Sequence, residues 1–299
     1  MTRSLNVLLT ALAPTVWGST YIVTTELLPE GYPITAAMLR ALPAGLLLLV
    51  LTRSLPEGRW IGRAFVLGAL NFAVFWWLLF VSAYRLPGGV AATIGAVQPL
   101  VVLVLARHVL EQGISRAGLV AGVVGVIGVG LLVLTPDATL DWIGILAALG
   151  GAASMALGTV LTKSWQPPVS PLTFTAWQLT AGGLLLLPAA LLFEPALPPL
   201  TTANAAGFLY LGLVGGAVTY ILWFRGIAIL GPSAVAPLGR LSPVAAVLLG
   251  WVILGQTLNE LQLVGLVLAL GSAWLGQRSQ RNPVVSPRER LRVQPERSR

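Results

Sequence analysis

Residues 92–112 read ATIGAVQPLVVLVLARHVLEQ, and residues 236–256 read APLGRLSPVAAVLLGWVILGQ. Laid over each other with a shift of 144, Ala92 meets Ala236, Gly95 meets Gly239, Pro99 meets Pro243 and Gln112 meets Gln256. Upstream, Phe80 meets Phe224 and Leu86 meets Leu230 in the same register. Leucines and valines coincide by chance in any two apolar helices. A Gly, a Pro and a Gln held in one register do not. Earlier in each half the match continues with a shift of 138. There Pro33 meets Pro171, and Ala44-Gly45 before four leucines (46–49) meets Gly182-Gly183 before four more (184–187). The chain therefore reads as a duplication.

Each copy holds five apolar stretches. A membrane helix needs roughly 20 mostly apolar residues, and ten such stretches fall at about 5–27, 33–51, 63–83, 88–107, 115–134, 140–162, 171–193, 204–224, 232–254 and 260–277. Turn residues mark the boundaries: Glu30-Gly31-Tyr32-Pro33, Pro56-Glu57-Gly58-Arg59, Leu86-Pro87-Gly88-Gly89, Thr135-Pro136-Asp137 and Gly231-Pro232. Arg3 and Ala11-Leu12-Ala13 imitate a signal peptide, but the apolar run continues past them, as a membrane helix does. Five is odd, so two copies in tandem cross a bilayer in opposite senses. The expected fold is all-α: ten transmembrane helices in two inverted five-helix repeats around a central cavity. The expected divisions are 1–136, 137–277 and a basic tail, 278–299.

Charged residues make up 9% of the chain and hydrophobic ones 56%, against about 25% and 45–50% in soluble domains. The formal charge of +8 is concentrated. Seven of the 18 basic residues lie between Arg278 and Arg299, with no aromatic residue between them, which suits a solvated tail touching anionic lipid headgroups better than a nucleic-acid surface. Placing the N-terminus in the cytoplasm puts Arg3, Arg53, Arg59, Arg63, Arg107, Arg116, Lys163, Arg225 and the tail inside, and only Arg85 outside. Both termini are therefore expected to be cytoplasmic. With no cysteine there is no disulfide framework and no thiolate metal site.

Trp17-Gly18-Ser19, then Met38-Leu39-Arg40 leading into Ala44-Gly45-Leu46, resembles the opening of the drug/metabolite transporter superfamily, EamA-type. Gln98-Pro99 and the glycine-rich fifth stretch resemble the end of that family's first repeat. Ser242-Pro243 and Leu254-Gly255-Gln256 carry the same signature in the second half. One departure stands out: Gln112 and Gln256 occupy positions where members often carry Glu, and Glu111 falls one place early. The resemblance implies a bacterial plasma-membrane exporter of amino acids and related metabolites, in the aromatic-amino-acid direction, with helices five and ten packed peripherally.

Ionisable groups inside a bilayer are costly and often functional. Arg40 and Arg240 are the two basic candidates. Arg40 reads equally as a residue that snorkels or binds neighbouring carbonyls. Arg240 lies between Pro237 and Pro243, where a helix is locally broken, and can pair with a substrate carboxylate through two parallel hydrogen bonds or enter an internal structural pair. Trp17 with Tyr21, and Trp77 with Phe80 and Tyr84, share helix faces at depth. With Tyr220 and Gln98 they are the expected walls of the cavity, although an aromatic stripe also serves plain packing. Trp60, Trp142, Trp165, Trp223 and Trp274 are expected at membrane interfaces. Pro14, Pro99, Pro237 and Pro243 are candidate hinges, Pro43 and Pro188 further bends. Gly118, Gly122, Gly125 and Gly128 line one helix and suit close packing within or between subunits, so a homo-oligomer stays open.

A secondary transporter fits these features. An enzyme does not, since His108 stands alone near a helix end and no acidic pair is buried. No Walker motif is present. No cofactor or metal is implied, and the partners are a small-molecule substrate and the bilayer, not nucleic acid. All ten acidic residues fall in loops or at helix ends, so transport is expected to run by alternating access without proton coupling. The alternatives are a proton-coupled drug/metabolite antiporter using Glu26 or Glu111, and a channel.

Overall fold

The computed structural model describes residues 2–29, 31–85, 94–133, 141–254 and 259–279. Among the described residues every regular element is helical. In chain order the apolar helices are α1 (Arg3–Thr24), α2 (Pro33–Thr52), α3 (Arg59–Leu79), α4 (Gln98–Val109), α5 (Arg116–Leu131), α6 (Trp142–Ser164), α7 (Pro171–Phe193), α8 (Thr202–Leu230), α9 (Pro232–Ile253) and α10 (Glu260–Gly276). By length and composition, seven of them (α1, α2, α3, α6, α7, α8 and α9) can cross a membrane, and α4, α5 and α10 are shorter apolar helices. The expected turn at 86–89, the segment 134–140, Gln256 and positions 280–299 of the basic tail lie outside the described residues.

Local chemistry sets the helix starts. Pro33 and Pro171 occupy the first turn, where proline removes no helix bond. Asp141 caps α6 through Gly144 N (2.8 Å), and Ser170 caps α7 through Thr173 N (3.1 Å). Thr201 and Asn204 form a reciprocal capping box on α8. The start of α2 is capped from elsewhere in the chain. Glu194, just after α7, accepts from Ile34 N (2.6 Å) and Thr35 N (2.7 Å), the donors next to Pro33.

The main pairings run between the halves. Helix α2 packs along α7 and α5 along α10. Helix α3 packs on α6 as α1 packs on α8; α1 meets α9 as α4 meets α6; and α3 meets α7 as α2 meets α8. These pairings are unchanged when each helix is replaced by the one five places on. The α2–α7 crossing shows why the duplicated glycines stand where they do. A Cβ on Gly45 would strike the Thr180 backbone, and one on Gly183 would lie 2.6 Å from Leu42 Cα. Gly45 and Gly183 are 138 apart, as are Leu42 and Thr180. The glycine stripe of α5 is used within the chain, with Gly128 against Ala269 of α10 and Gly122 against Leu100 of α4.

Three departures from regular helix matter. Ala69–Ala73 in α3 and Tyr210–Val218 in α8 are π-helical. Moved by 144, the first falls inside the second. The wider turn breaks the regular ladder and leaves carbonyls open to other donors. In α9, a short α turn (Pro232–Val235) passes into a 3-10 segment (Ala236–Arg240) before regular helix resumes at Leu241. Pro237 and Pro243 flank that change. Pro14 lies inside α1. Pro99 differs from expectation: it sits in the first turn of α4, where it helps start a helix rather than bend one.

Candidate functional site

Six aromatic rings from three helices meet at the centre of the largest buried cluster: Trp17 of α1, Phe72 and Trp76 of α3, and Tyr220, Trp223 and Phe224 of α8. Trp17 packs on Tyr220 (centroids 4.7 Å) and on Trp223 (5.0 Å). Phe72 meets Tyr220 edge-on (4.6 Å), and Trp76 meets Phe72 (5.2 Å) and Tyr220 (6.0 Å). The rings are tilted or T-shaped, the arrangements that ring quadrupoles favour.

Polar groups edge this cluster. The Gly215 carbonyl, in the π-helical part of α8, accepts from Arg40 Nη2 (2.8 Å), Trp17 Nε1 (3.2 Å) and Thr219 Oγ1 (2.7 Å). Trp17 Nε1 also donates to Thr219 Oγ1 (2.8 Å). The Arg40 guanidinium lies over Trp76, 4.9 Å from the ring centre. Arg40 thus binds backbone and ring across three helices, which is the structural side of the two readings given to it. In the other half, Asn71 of the α3 π turn donates to Gln178 Oε1 (2.8 Å) and Thr162 Oγ1 (3.2 Å), all three fully buried.

Of the expected cavity walls, Trp17 and Tyr220 come together, but in direct contact rather than across an open space. Trp77 does not join them. It is 50% exposed, while Trp76 is 2% exposed and carries the inward position. One residue turns a helix by about 100°, so neighbouring tryptophans cannot share a face. The side chains of Tyr21, Phe80 and Tyr84 lie outside the described residues. Gln98 is half-buried at the start of α4, away from the rings. Trp223, expected at an interface, is 1% exposed within the cluster. The duplication held the missing signal: Trp76 and Tyr220 are 144 apart, the register that pairs Phe80 with Phe224.

Arg240 occupies a different place. Leu238 belongs to the buried cluster that holds the rings, and Arg240, two residues on, lies against Gly125 of α5. A narrow cleft there is lined by Pro99, Leu103, Gly118, Gly122, Ser233, Pro237 and Gly276 with Arg240. Arg240 is 2% exposed. Its Nη2 makes one long bond to the Gly122 carbonyl (3.4 Å), and its Nε and Nη1 have no partner. Ser233 at the cleft edge donates to Gln112 Oε1 (2.9 Å). Gln112 therefore has a bond in the place where the family pattern often has an acid.

Among the described residues no group of three or more His, Asp or Glu is placed to hold a metal. Glu57, Glu111 and Glu260 are exposed at helix ends, and Glu194 is held by its cap. The one ion pair among the described residues is at the surface, Arg85 with Asp141 (3.4 Å).

The EamA-like transporter family matches the chain twice, over residues 4–134 and 142–276. Protein PecM of Dickeya dadantii is 48% identical over 257 residues, covering 85% of this chain and 86% of that protein. The uncharacterized inner membrane transporter YedA of Escherichia coli is 30% identical, covering 91% and 92%. A probable amino-acid metabolite efflux pump of Salmonella typhimurium is 26% identical, covering 93% and 97%. A solved crystal structure, 19% identical, superposes with a TM-score of 0.77 over 94% of this chain and all of the other, a likeness of fold.

Proposed function

The chain belongs to the EamA-like transporter family, and on that premise we propose that it exports amino acids, aromatic or other bulky apolar ones favoured, or related small metabolites, across the bacterial inner membrane. It works by alternating access without proton coupling. The working parts are two inverted five-helix repeats, 1–136 and 137–277, with both termini cytoplasmic. The tandem family matches and the exchange symmetry of the helix pairings support that division. The Salmonella relative's name supports the export of amino-acid metabolites, and YedA's supports the inner membrane.

One observation carries the substrate reading. Arg240 is buried with two unused donors beside a cleft between α4, α5, α9 and α10. A guanidinium in such a place suits a carboxylate. The aromatic cluster, on the Leu238 side of the same 3-10 segment, supplies apolar surface for a bulky side chain when the halves move. In this reading Trp17, Tyr220 and Gln98 face the path along with Arg240, and Pro14, Pro237 and Pro243 are its bending points.

Proteoliposomes test it with a panel of amino acids, drugs and nucleotide sugars. A carrier of the proposed class shows saturable counterflow of aromatic amino acids or their metabolites, and downhill flux proceeds without an imposed pH or sodium gradient. Linear, non-saturating flux means a channel. Accumulation driven by an imposed pH gradient and abolished by Glu26→Gln or Glu111→Gln means proton coupling. Transport confined to drugs or nucleotide sugars overturns the substrate class.

A further inference from the structure

We propose that the substrate is an organic monoanion, a carboxylate with a bulky apolar body and no α-ammonium, and that the membrane potential itself drives its export. This rests on the carrier reading above and narrows it, from amino acids or related metabolites to the anionic metabolites.

Charge balance at Arg240 selects this substrate. Two of its three nitrogens have no partner, and the third makes only a 3.4 Å bond to a backbone carbonyl. The rest of the described cleft lining is proline, glycine and leucine apart from Ser233, whose hydroxyl proton is directed to Gln112. None of the described lining side chains is acidic. Such a site meets a carboxylate with an unused cation. It meets an α-ammonium with a like charge and no counter-charge, in surroundings where each lone ion is costly. A zwitterion brings both groups within a few bonds of each other, so binding its carboxylate forces its ammonium beside the guanidinium. A monoanion brings only the group the site lacks, and the occupied site is neutral.

The same charge accounts for drive. A proton-coupled carrier needs a titratable group at depth, and the described Glu57, Glu111 and Glu260 are exposed at helix ends. A carrier that moves a monoanion alone transfers one negative charge outward in each cycle. With the cell interior negative, each 100 mV of potential supports an outside concentration about 50-fold above the inside one. Uniport of an anion is therefore export without any coupling ion. Uniport of a zwitterion, which carries no net charge, gains nothing from the potential.

The experiment uses the wild-type protein in proteoliposomes at pH 8, with a potassium gradient and valinomycin to set the potential and protein-free vesicles to fix passive leak. The probes are 3-phenylpropionate and indole-3-propionate as monoanions, and phenylalanine and tryptophan as zwitterions. The expected result is saturable flux of the two propionates several-fold above that of the amino acids, accumulation toward the positive side by about 50-fold per 100 mV, and loss of this preference in Arg240→Gln. If the amino acids move as fast as the propionates, or propionate flux ignores the potential, the inference is overturned and the carrier reading stands. If no probe moves through folded protein, both fall. The wild-type panel decides the matter even if Arg240→Gln does not fold.

Discussion

Arg40 and Gln178 stand at one register of α2 and α7, 138 residues apart, and each is buried against the π turn of the helix it crosses. Arg40 donates to the Gly215 carbonyl, and Gln178 accepts from Asn71. Gly215 and Asn71 are themselves 144 apart. Two copies of one contact have thus diverged in chemistry while keeping their place. One became a cation bound to backbone and an aromatic face. The other became an amide network that takes in Thr162 and leaves Asn71 Oδ1 and Gln178 Nε2 without partners. The difference lets the halves be distinguished at otherwise matching crossings.

The amide copy gives the first prediction. Asn71 and Gln178 are both fully buried, and their bond bridges α3 and α7. A double-mutant cycle with Asn71→Ala and Gln178→Ala should show a coupling between about 0.6 kcal/mol, the average for polar pairs between membrane helices, and about 1.7 kcal/mol, the upper end. Reversible unfolding in mixed micelles measures it. Strictly additive losses would mean the two amides act independently.

The α2–α7 crossing gives the second. Gly45→Leu and Gly183→Leu should each destabilise the protein by more than the about 1–3 kcal/mol usual for overpacking, because the obstacle is backbone. Gly62→Leu, at a position with nothing within 4 Å, should be near neutral. Detergent thermal-shift assays on the three variants decide this. Equal behaviour of Gly62→Leu and Gly45→Leu would refute close approach of the two helices.

Most of the helix plan was legible because duplication and hydropathy both act over long stretches. Matched glycines at 45 and 183 and matched prolines at 33 and 171 are readable as pairs, and their packing follows from that match. Side-chain direction was less legible. Trp76 and Trp77 are adjacent, and composition treats them alike. Only helix rotation, fixed by the neighbours of α3, turns the first inward and the second out. Trp223 misled for a different reason. Tryptophan near a helix end suits an interface, but α8 extends to Leu230, which sets Trp223 two turns inside. Arg240 was legible as unusual, from the prolines around it, but not the separation of its cleft from the rings. That depends on Leu238 and Arg240 facing different ways, about 120° apart, on a 3-10 segment.

The tryptophan pair gives the third prediction. Trp76→Ala removes a buried ring that touches Phe72, Tyr220 and the Arg40 guanidinium, and should cost about 3–5 kcal/mol. Trp77→Ala should cost far less, since the ring is half exposed. Trp76→Phe should recover a large part of the loss. Thermal denaturation of the three purified variants tests the order, and a larger loss at Trp77 would reverse the assignment of faces.

The fourth prediction concerns orientation, and the sequence makes it unusually clean to test because the protein has no cysteine. The α2–α3 connection carries Arg53 and leads into Arg59 and Arg63, whereas the α7–α8 connection carries no basic residue between Phe193 and Thr202. Basic residues near helix ends stay in the cytoplasm, so these two connections should lie on opposite sides. Leu55 and Ala196 are exposed in them. In intact cells, a cysteine at Leu55 should react with a membrane-permeant maleimide and resist an impermeant one. A cysteine at Ala196 should react with both. The two connections leave pseudo-equivalent helices, α2 and α7, so opposite sidedness is also what inverted repeats require. Labelling of both by the impermeant reagent would place the connections on one side and break the inverted-repeat plan. The reverse pattern, Leu55 outside and Ala196 inside, would keep the inverted repeats but turn the whole protein over, with both termini outside.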